Sequence, residues 1–252
     1  MSPMEKTGQS ANNTLRLDKF LCLCGVESRS KARKLIQSGK VRVNNQIVKD
    51  PGFKINPFVD QVFLRNKKLR PQQNFYYKFF KPVGYVTSLK DPKHRVITEL
   101  FPEDLPGRSE IFPVGRLDMD AEGLLILTND GLLAHRILHP KWKLPKTYEL
   151  IIKNPLTLEQ KQLIESGIEL SDGKTLPCKI TCLNSNYTEL RIEVFEGRYH
   201  LLKRMFKAVG NQTLHIKRIA IGCVELGDLK PGEIKPLSEK EIFSLKKALK
   251  LL

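Results

Sequence analysis

No apolar stretch in this sequence reaches the roughly 18 residues that a membrane helix needs. The opening segment, MSPMEKTGQSANNT, has no apolar signal core, which argues against secretion. Cysteine is scarce and odd in number, five in 252 residues, so a disulfide framework is not expected. Cys22/Cys24 and Cys178/Cys182 have no second paired set in zinc-ribbon register, and structural zinc is not expected either. A reducing cytoplasm is the simplest location. Also missing are a Ser-His-Asp order, a phosphate-cradling glycine loop, a histidine-rich cluster and a repeat of fixed period. Acidic residues are the most telling shortage: 27 Asp+Glu face 43 Lys+Arg, a net charge of +16. Residues 1–70 hold 15 basic and 5 acidic residues, so +10 of that total lies in the first quarter of the chain. A module with an electrostatic task is expected there, and a polyanion such as nucleic acid is the fitting partner.

What is present fits a small domain followed by a larger one. Residues 1–14 are polar and read as a disordered leader. A helix is expected from near Leu15, because Leu17, Phe20, Leu21 and Cys24 recur on one face, and Gly25 stops it. Ser28 suits the N-cap of a second helix that turns Ala32, Leu35 and Ile36 inward and ends at Gly39. Val41 to Val43, the Asn44-Asn45 turn and Gln46 to Val48 alternate as a hairpin. The series RLDKFL…SRSKARKLIQSGKVRVNNQIV resembles the S-four-type RNA-binding module of ribosomal proteins. That resemblance makes Arg16, Lys19, Arg29, Lys31, Arg33, Lys34 and Arg42 candidate phosphate contacts, which position a protein on RNA without reading its sequence.

The expected domain divisions are a leader at 1–14, the RNA-binding module at 15–64, a linker at 65–74 and a second domain at 75–252. Residues 65–74 are basic, polar and interrupted by proline, hence the linker. Strands are expected at Phe75 to Phe80, Tyr85 to Thr87, Ile111 to Val114 and Leu124 to Leu127. Thr128-Asn-Asp-Gly131 caps a helix from Leu132 to Leu138. Further on, Thr147 to Ile152, Lys179 to Cys182, Thr188 to Phe195 and Thr213 to Leu226 read as strands. Leu158 to Ser166, Leu201 to Val209 and Ser238 to Leu251 read as helices. The class is α+β: a small α/β module, then a larger domain on a mostly antiparallel mixed sheet.

Between strands lies Val114-Gly-Arg-Leu-Asp-Met-Asp-Ala-Glu-Gly123, three carboxylates and an arginine between two glycines. Asp118, Asp120, Glu122 and Gly123 fall at the first, third, fifth and sixth positions of a calcium loop. The twelfth is Asn129, which cannot supply the bidentate carboxylate. Gly115 and Gly123 could let an aspartate and the backbone approach a ligand, and an ionised aspartate can act as a nucleophile. A structural turn fits the same residues. Composition and spacing go no further than carboxylate chemistry in an RNA-binding protein.

VGRLDMDAEGLLILTNDG, with FKPVGYVTSLKDP, KTYEL and EGRYHLLKRMFKAVGN in that order, closely resembles the RsuA-like ribosomal RNA pseudouridine synthases (the RsuA/RluB/RluE/RluF type). The likeness covers about residues 15–245. It implies isomerisation of one uridine in rRNA, without cofactor or metal, by a monomer acting on an assembling ribosome. The EGRYH and KTY stretches resemble most the branch acting on 16S small-subunit rRNA; a 23S enzyme of the same architecture is the alternative. It also implies Asp118 as the catalytic aspartate, Tyr148 beside the uracil, and Lys203 as its basic partner with Arg204 as second candidate. Arg116 would hold the extruded nucleotide. Asp120 and Glu122 would order the loop, and His200 would be structural. Ala121 and Leu201 depart from the family, which usually has Thr or Ser and Gln there. A non-catalytic rRNA-binding factor and a metal-dependent nuclease are the other classes. The intact Asp118, Tyr148 and Lys203 oppose the first, and the lack of a second ligand cluster opposes the second.

Overall fold

A computed structural model describes residues 14–26, 28–57, 59–71 and 73–252. Of the expected leader only Thr14 lies among them. The chain divides into two compact units, Met1–Gln73 and Asn74–Leu252.

In the first unit the apolar spacing forms the expected pair of helices, Leu17–Leu23 and Arg29–Gln37. Ser28 accepts from the Lys31 amide as the second helix's N-cap. The first helix begins later than expected. Leu15 and Arg16 are a short strand paired with Lys54–Ile55, because that pairing satisfies backbone groups before the helix can. Leu17, Phe20, Leu21, Ala32 and Ile36 are buried against Val41, Val43, Ile55 and Val62. The hairpin Val41–Val43 and Gln46–Ile47 turns at Asn44, φ 53°. Residues 65–74 are not simply a linker. Arg65 turns the chain so that Lys67–Lys68 pairs with Val62–Leu64, adding a fourth strand to this unit's sheet.

Asp18 is fully buried in the first helical turn. Arg16 grips both its oxygens at 3.2 and 3.0 Å, and Arg33 reaches one at 3.3 Å. The Arg16 hydrogen bond outweighs burial and, with Arg33, holds the Asp18 carboxyl below its usual range. Two of the cations expected on RNA therefore also anchor the fold. Arg42 lies over the Phe63 ring at 4.5 Å. Lys19, Arg29, Lys31 and Lys34 are exposed.

The second unit is built on a nine-stranded mixed sheet. Its main path runs Lys179–Cys182, Glu189–Val194, Lys146–Ile152, Thr213–Ile221, Glu122–Thr128, Tyr76–Lys81 and Ile234–Pro236. All neighbours are antiparallel except Thr213–Ile221 beside Glu122–Thr128. Leu125 and Leu127 face a core containing Phe79, Met205 and Phe206, while Leu124 and Ile126 face another containing Leu133, Ile137 and Leu245. Cover on both faces explains the unbroken apolar run. Each of these four side chains is wholly buried, worth about 1.5–3 kcal/mol apiece, so this strand is a rigid support for the loop before it.

Helices form at Gly131–Leu138, Leu158–Ser166, Leu201–Ala208 and Glu239–Ala248. Asp130, Thr157 and Ser238 cap three of them. The strand expected over Tyr85 to Thr87 does not form. Val86 makes one isolated bridge to Val96, and the Thr87 hydroxyl is bonded instead to the backbone of Leu117. That segment braces the carboxylate loop.

Candidate active site

The loop between Phe112–Val114 and Glu122–Thr128 is held by its backbone. Lys81, at the end of a buried strand, is itself fully buried. Its ammonium donates to the carbonyls of Asp118 at 2.9 Å, Ala121 at 2.7 Å and Pro82 at 3.0 Å. Burial pushes the Lys81 pKa down to about 8, against the pull of the Asp118, Asp120 and Glu122 carboxylates. The Ala121 amide bonds the Asp118 carbonyl, and the Gly84 amide bonds that of Met119. Thr87 Oγ1 donates to the Leu117 carbonyl at 2.7 Å and accepts from its amide at 3.0 Å.

The two glycines serve packing rather than ligand approach. A Cβ on Gly123, φ 112°, would lie 2.3 Å from the Arg218 carbonyl oxygen and 2.6 Å from its nitrogen. Only glycine lets these two strands meet there. A Cβ on Gly115 would come within 2.9 Å of the Leu138 side chain.

So fixed, Asp118 presents a half-buried carboxylate to a cavity of about 410 Å³, within the roughly 300–1,000 Å³ of small-molecule sites. His200 Nε2 stands 3.3 Å from one Asp118 oxygen and Lys203 Nζ 3.4 Å from the other. Lys203 also donates to both oxygens of Asp120, at 2.7 and 2.8 Å. Burial acts against the Lys203 ammonium, but the bond to Asp120 and the two carboxylate charges outweigh it and raise its pKa. The same bond lowers that of Asp120. Arg204, the next residue on the helix, turns away to Asp172 at 2.9 Å, about 100° round the axis from its neighbour. Lys203, not Arg204, is thus the cation beside Asp118. His200 stands at the N-cap position of this helix in a left-handed conformation, φ 49°, with its ring beside Asp118 rather than capping the helix.

Tyr148 and Arg218, on adjacent strands, line the same cavity. Arg218 is 4% exposed. Its Nε donates to the Leu124 carbonyl at 2.7 Å and its Nη1 to the Tyr148 hydroxyl at 3.4 Å. Lys146 borders the cavity too, bonded to the Ile137 and Leu144 carbonyls, and burial brings its pKa down to about 8. Arg116 is exposed at the rim and makes no hydrogen bond or ion pair among the described residues. No group of three His, Cys, Asp or Glu among the described residues is placed to hold a metal ion.

A sequence profile described as RNA pseudouridylate synthase matches residues 76–208, and one for the S4 domain matches residues 15–60. An uncharacterised RNA pseudouridine synthase of Aquifex aeolicus is 44% identical, over 94% of this chain and 96% of its own. The chain belongs to the RNA pseudouridylate synthase family. The small-subunit pseudouridine synthase A of Escherichia coli is 36% identical, over 92% of this chain and all of its own. The large-subunit pseudouridine synthase B of Bacillus subtilis is 35% identical, over 92% and 95%. A crystal structure of a pseudouridylate synthase, 34% identical, superposes with a TM-score of 0.66 over 92% of this chain and 99% of that one. This synthase isomerises an RNA uridine to pseudouridine.

Three residues of this candidate site were not expected there from the sequence: Lys81, His200 and Arg218. Each left a trace. Lys81 closes a strand whose last residues are all buried. In Thr213–Ile221 the period-two pattern that turns Ile216 inward also turns Arg218 inward, and an inward cation signals function or a structural tie. His200 was read as structural, yet it contacts the Asp118 carboxylate directly. The departures are mild here: Ala121 is buried and bonds through its backbone, and Leu201 packs in the core.

Proposed function

We propose that the synthase acts on ribosomal RNA, on one uridine of the small subunit, with Asp118 as the reacting carboxylate. The observation that carries this is Asp118 itself, its backbone clamped by Lys81 and its carboxylate set between His200 and Lys203 over the cavity. Isomerisation breaks the N1–C1′ bond, joins C5 to C1′, moves a proton off C5 and places one on N1. The carboxylate either adds to C1′ or removes the C2′ proton. Tyr148 packs on the base, Lys203 steadies the charge of Asp118, and Arg116 holds the extruded nucleotide, since a stacked uridine must be flipped to react.

The first unit grips the RNA backbone through Arg16, Lys19, Arg29, Lys31, Arg33, Lys34 and Arg42, and residues 75–252 form the catalytic domain. The enzyme works as a cytoplasmic monomer on an assembly intermediate. A second reading, a large-subunit uridine, has the support of the nearly equal identity to the Bacillus subtilis large-subunit enzyme. Pseudouridine mapping in rRNA from cells with and without the gene tests both. One small-subunit site disappears on deletion and returns with wild type but not with Asp118→Ala. Loss of a 23S site selects the second reading, and full restoration by Asp118→Ala removes Asp118 from the chemistry.

A further inference from the structure

Arg218 has more donors than the folded protein uses. Nε serves Leu124 and Nη1 serves Tyr148, but Nη2 is buried with no hydrogen-bond partner among the described residues. A guanidinium can only donate, and a buried charged donor left unpaired is expensive enough to call for an explanation. A purely structural tie between the two strands would need only the Leu124 bond. Arg218 borders the cavity that holds Asp118, with its Cζ 5.9 Å from the centre of the Tyr148 ring.

We infer that Arg218 is a substrate-contacting residue whose Nη2 donates to a carbonyl oxygen of the uracil in the cavity. A base lying against the Tyr148 ring would bring its carbonyl edge within reach of the neighbouring strand. A uracil oxygen is neutral, so pairing it with a buried cation requires no second ion to be dehydrated, as a phosphate would. Exposed Arg116 at the rim suits a phosphate better. Arg218 has a second effect through Tyr148. Because the phenol oxygen accepts from Nη1, its own hydrogen points elsewhere, which keeps Tyr148 a donor toward the base. The inference rests on the proposed role of the Asp118 cavity as the uridine site.

The test compares target RNAs carrying uridine, 2-thiouridine or 4-thiouridine at the reactive position, sulfur being the weaker acceptor. Wild type is expected to lose kcat/KM on one thio substrate. Arg218→Met is expected to lose about 10- to 100-fold on uridine and to treat that thio substrate and uridine alike. A purely structural role lowers all three substrates by one factor together with the melting temperature, and that result overturns the inference. Should Arg218→Met fail to fold, Arg218→Gln carries the same comparison. Wild type that treats all three RNAs equally also overturns it. Asp118→Ala separates the two readings: turnover by that variant refutes the site, whereas an inactive Asp118→Ala with unchanged thio discrimination in Arg218→Met refutes only the role of Arg218.

Discussion

Replacing Lys81 with Met would keep most of the side chain's volume and remove its ammonium. Three carbonyls would lose a donor, although that of Asp118 keeps the Ala121 amide. That of Ala121 lies in a buried residue, while those of Asp118 and Pro82 belong to half-buried ones that water can partly serve. Taking about 3 kcal/mol for the first and about 1 for each of the others, Lys81→Met loses about 5 kcal/mol, much of a typical domain's stability. The single tryptophan, Trp142, lies in the second unit, so its fluorescence in a urea titration reads this unit alone. Freed from its clamp, Asp118 would shift, and about 1 Å of misplacement is worth about 100-fold in rate. Release of tritium from RNA labelled at uridine C5 measures that loss. A Lys81→Met protein with wild-type turnover, or one less than about 1 kcal/mol weaker, would refute the clamp. The pH dependence has opposite signs for stability and rate. Since the Lys81 pKa falls to about 8 on folding from 10.5, the unfolded chain binds more protons between those values, and Lys81's contribution to stability rises with pH there. Its neutral amine has two hydrogens for three carbonyls, so turnover should fall above pH about 8.

Four further outcomes are expected. Lys203→Met should lower kcat by about 100-fold, whereas Arg204→Met should leave kcat within a few fold and act on RNA binding or stability; equal losses in kcat would contradict the geometry. Gly123→Ala should lose on the order of 4 kcal/mol, read by urea titration, because its Cβ meets the Arg218 backbone; a fold as stable as wild type would mean the strands can part without penalty. Asp18 stabilises the first unit above its unfolded pKa, and that contribution is lost as pH falls through the lower folded value. Asp18→Asn should therefore flatten acid unfolding of the full chain, followed by amide exchange in Leu17–Leu23, and an unaltered acid profile would refute this. Arg29→Gln with Lys34→Gln should weaken RNA binding evenly and lower its log-log salt slope by roughly 1 to 2; an unchanged slope takes that helix off the phosphates.

The sequence made the elements legible where a local rule operates. Period and caps located the helices after Ser28 and after Thr128 to Gly131, because each cap is decided within three residues. The apolar run Leu124 to Leu127 announced a buried strand. What escaped notice depends on partners distant in sequence. Leu15 joins a strand only because Lys54 and Ile55 return to it. Lys67 and Lys68 look like linker until Val62–Leu64 offers an edge. Tyr85 to Thr87 alternates like a strand but is taken up by Leu117. The site divided the same way. Asp118, Tyr148 and Lys203 came from motif resemblance, and the choice of Lys203 over Arg204 needed the helix phase. Lys81 and Arg218 are single cations in apolar strands; the strand pattern turns them inward, but only distant backbone partners say what they bond.

Lys81 grips the carboxylate loop by carbonyl oxygens, a feature that all twenty residue types offer alike. The shape of the loop is therefore largely independent of which side chains it carries at positions 119 and 121. Alanine stands at 121 with only its backbone in use, and exposed Met119 can change without disturbing the carbonyl that Gly84 holds. Evolution could thus retune how this loop meets different RNAs while the carboxylate stays in place. In a library varying positions 119 and 121, active clones should be common, whereas one varying position 81 should return almost only lysine.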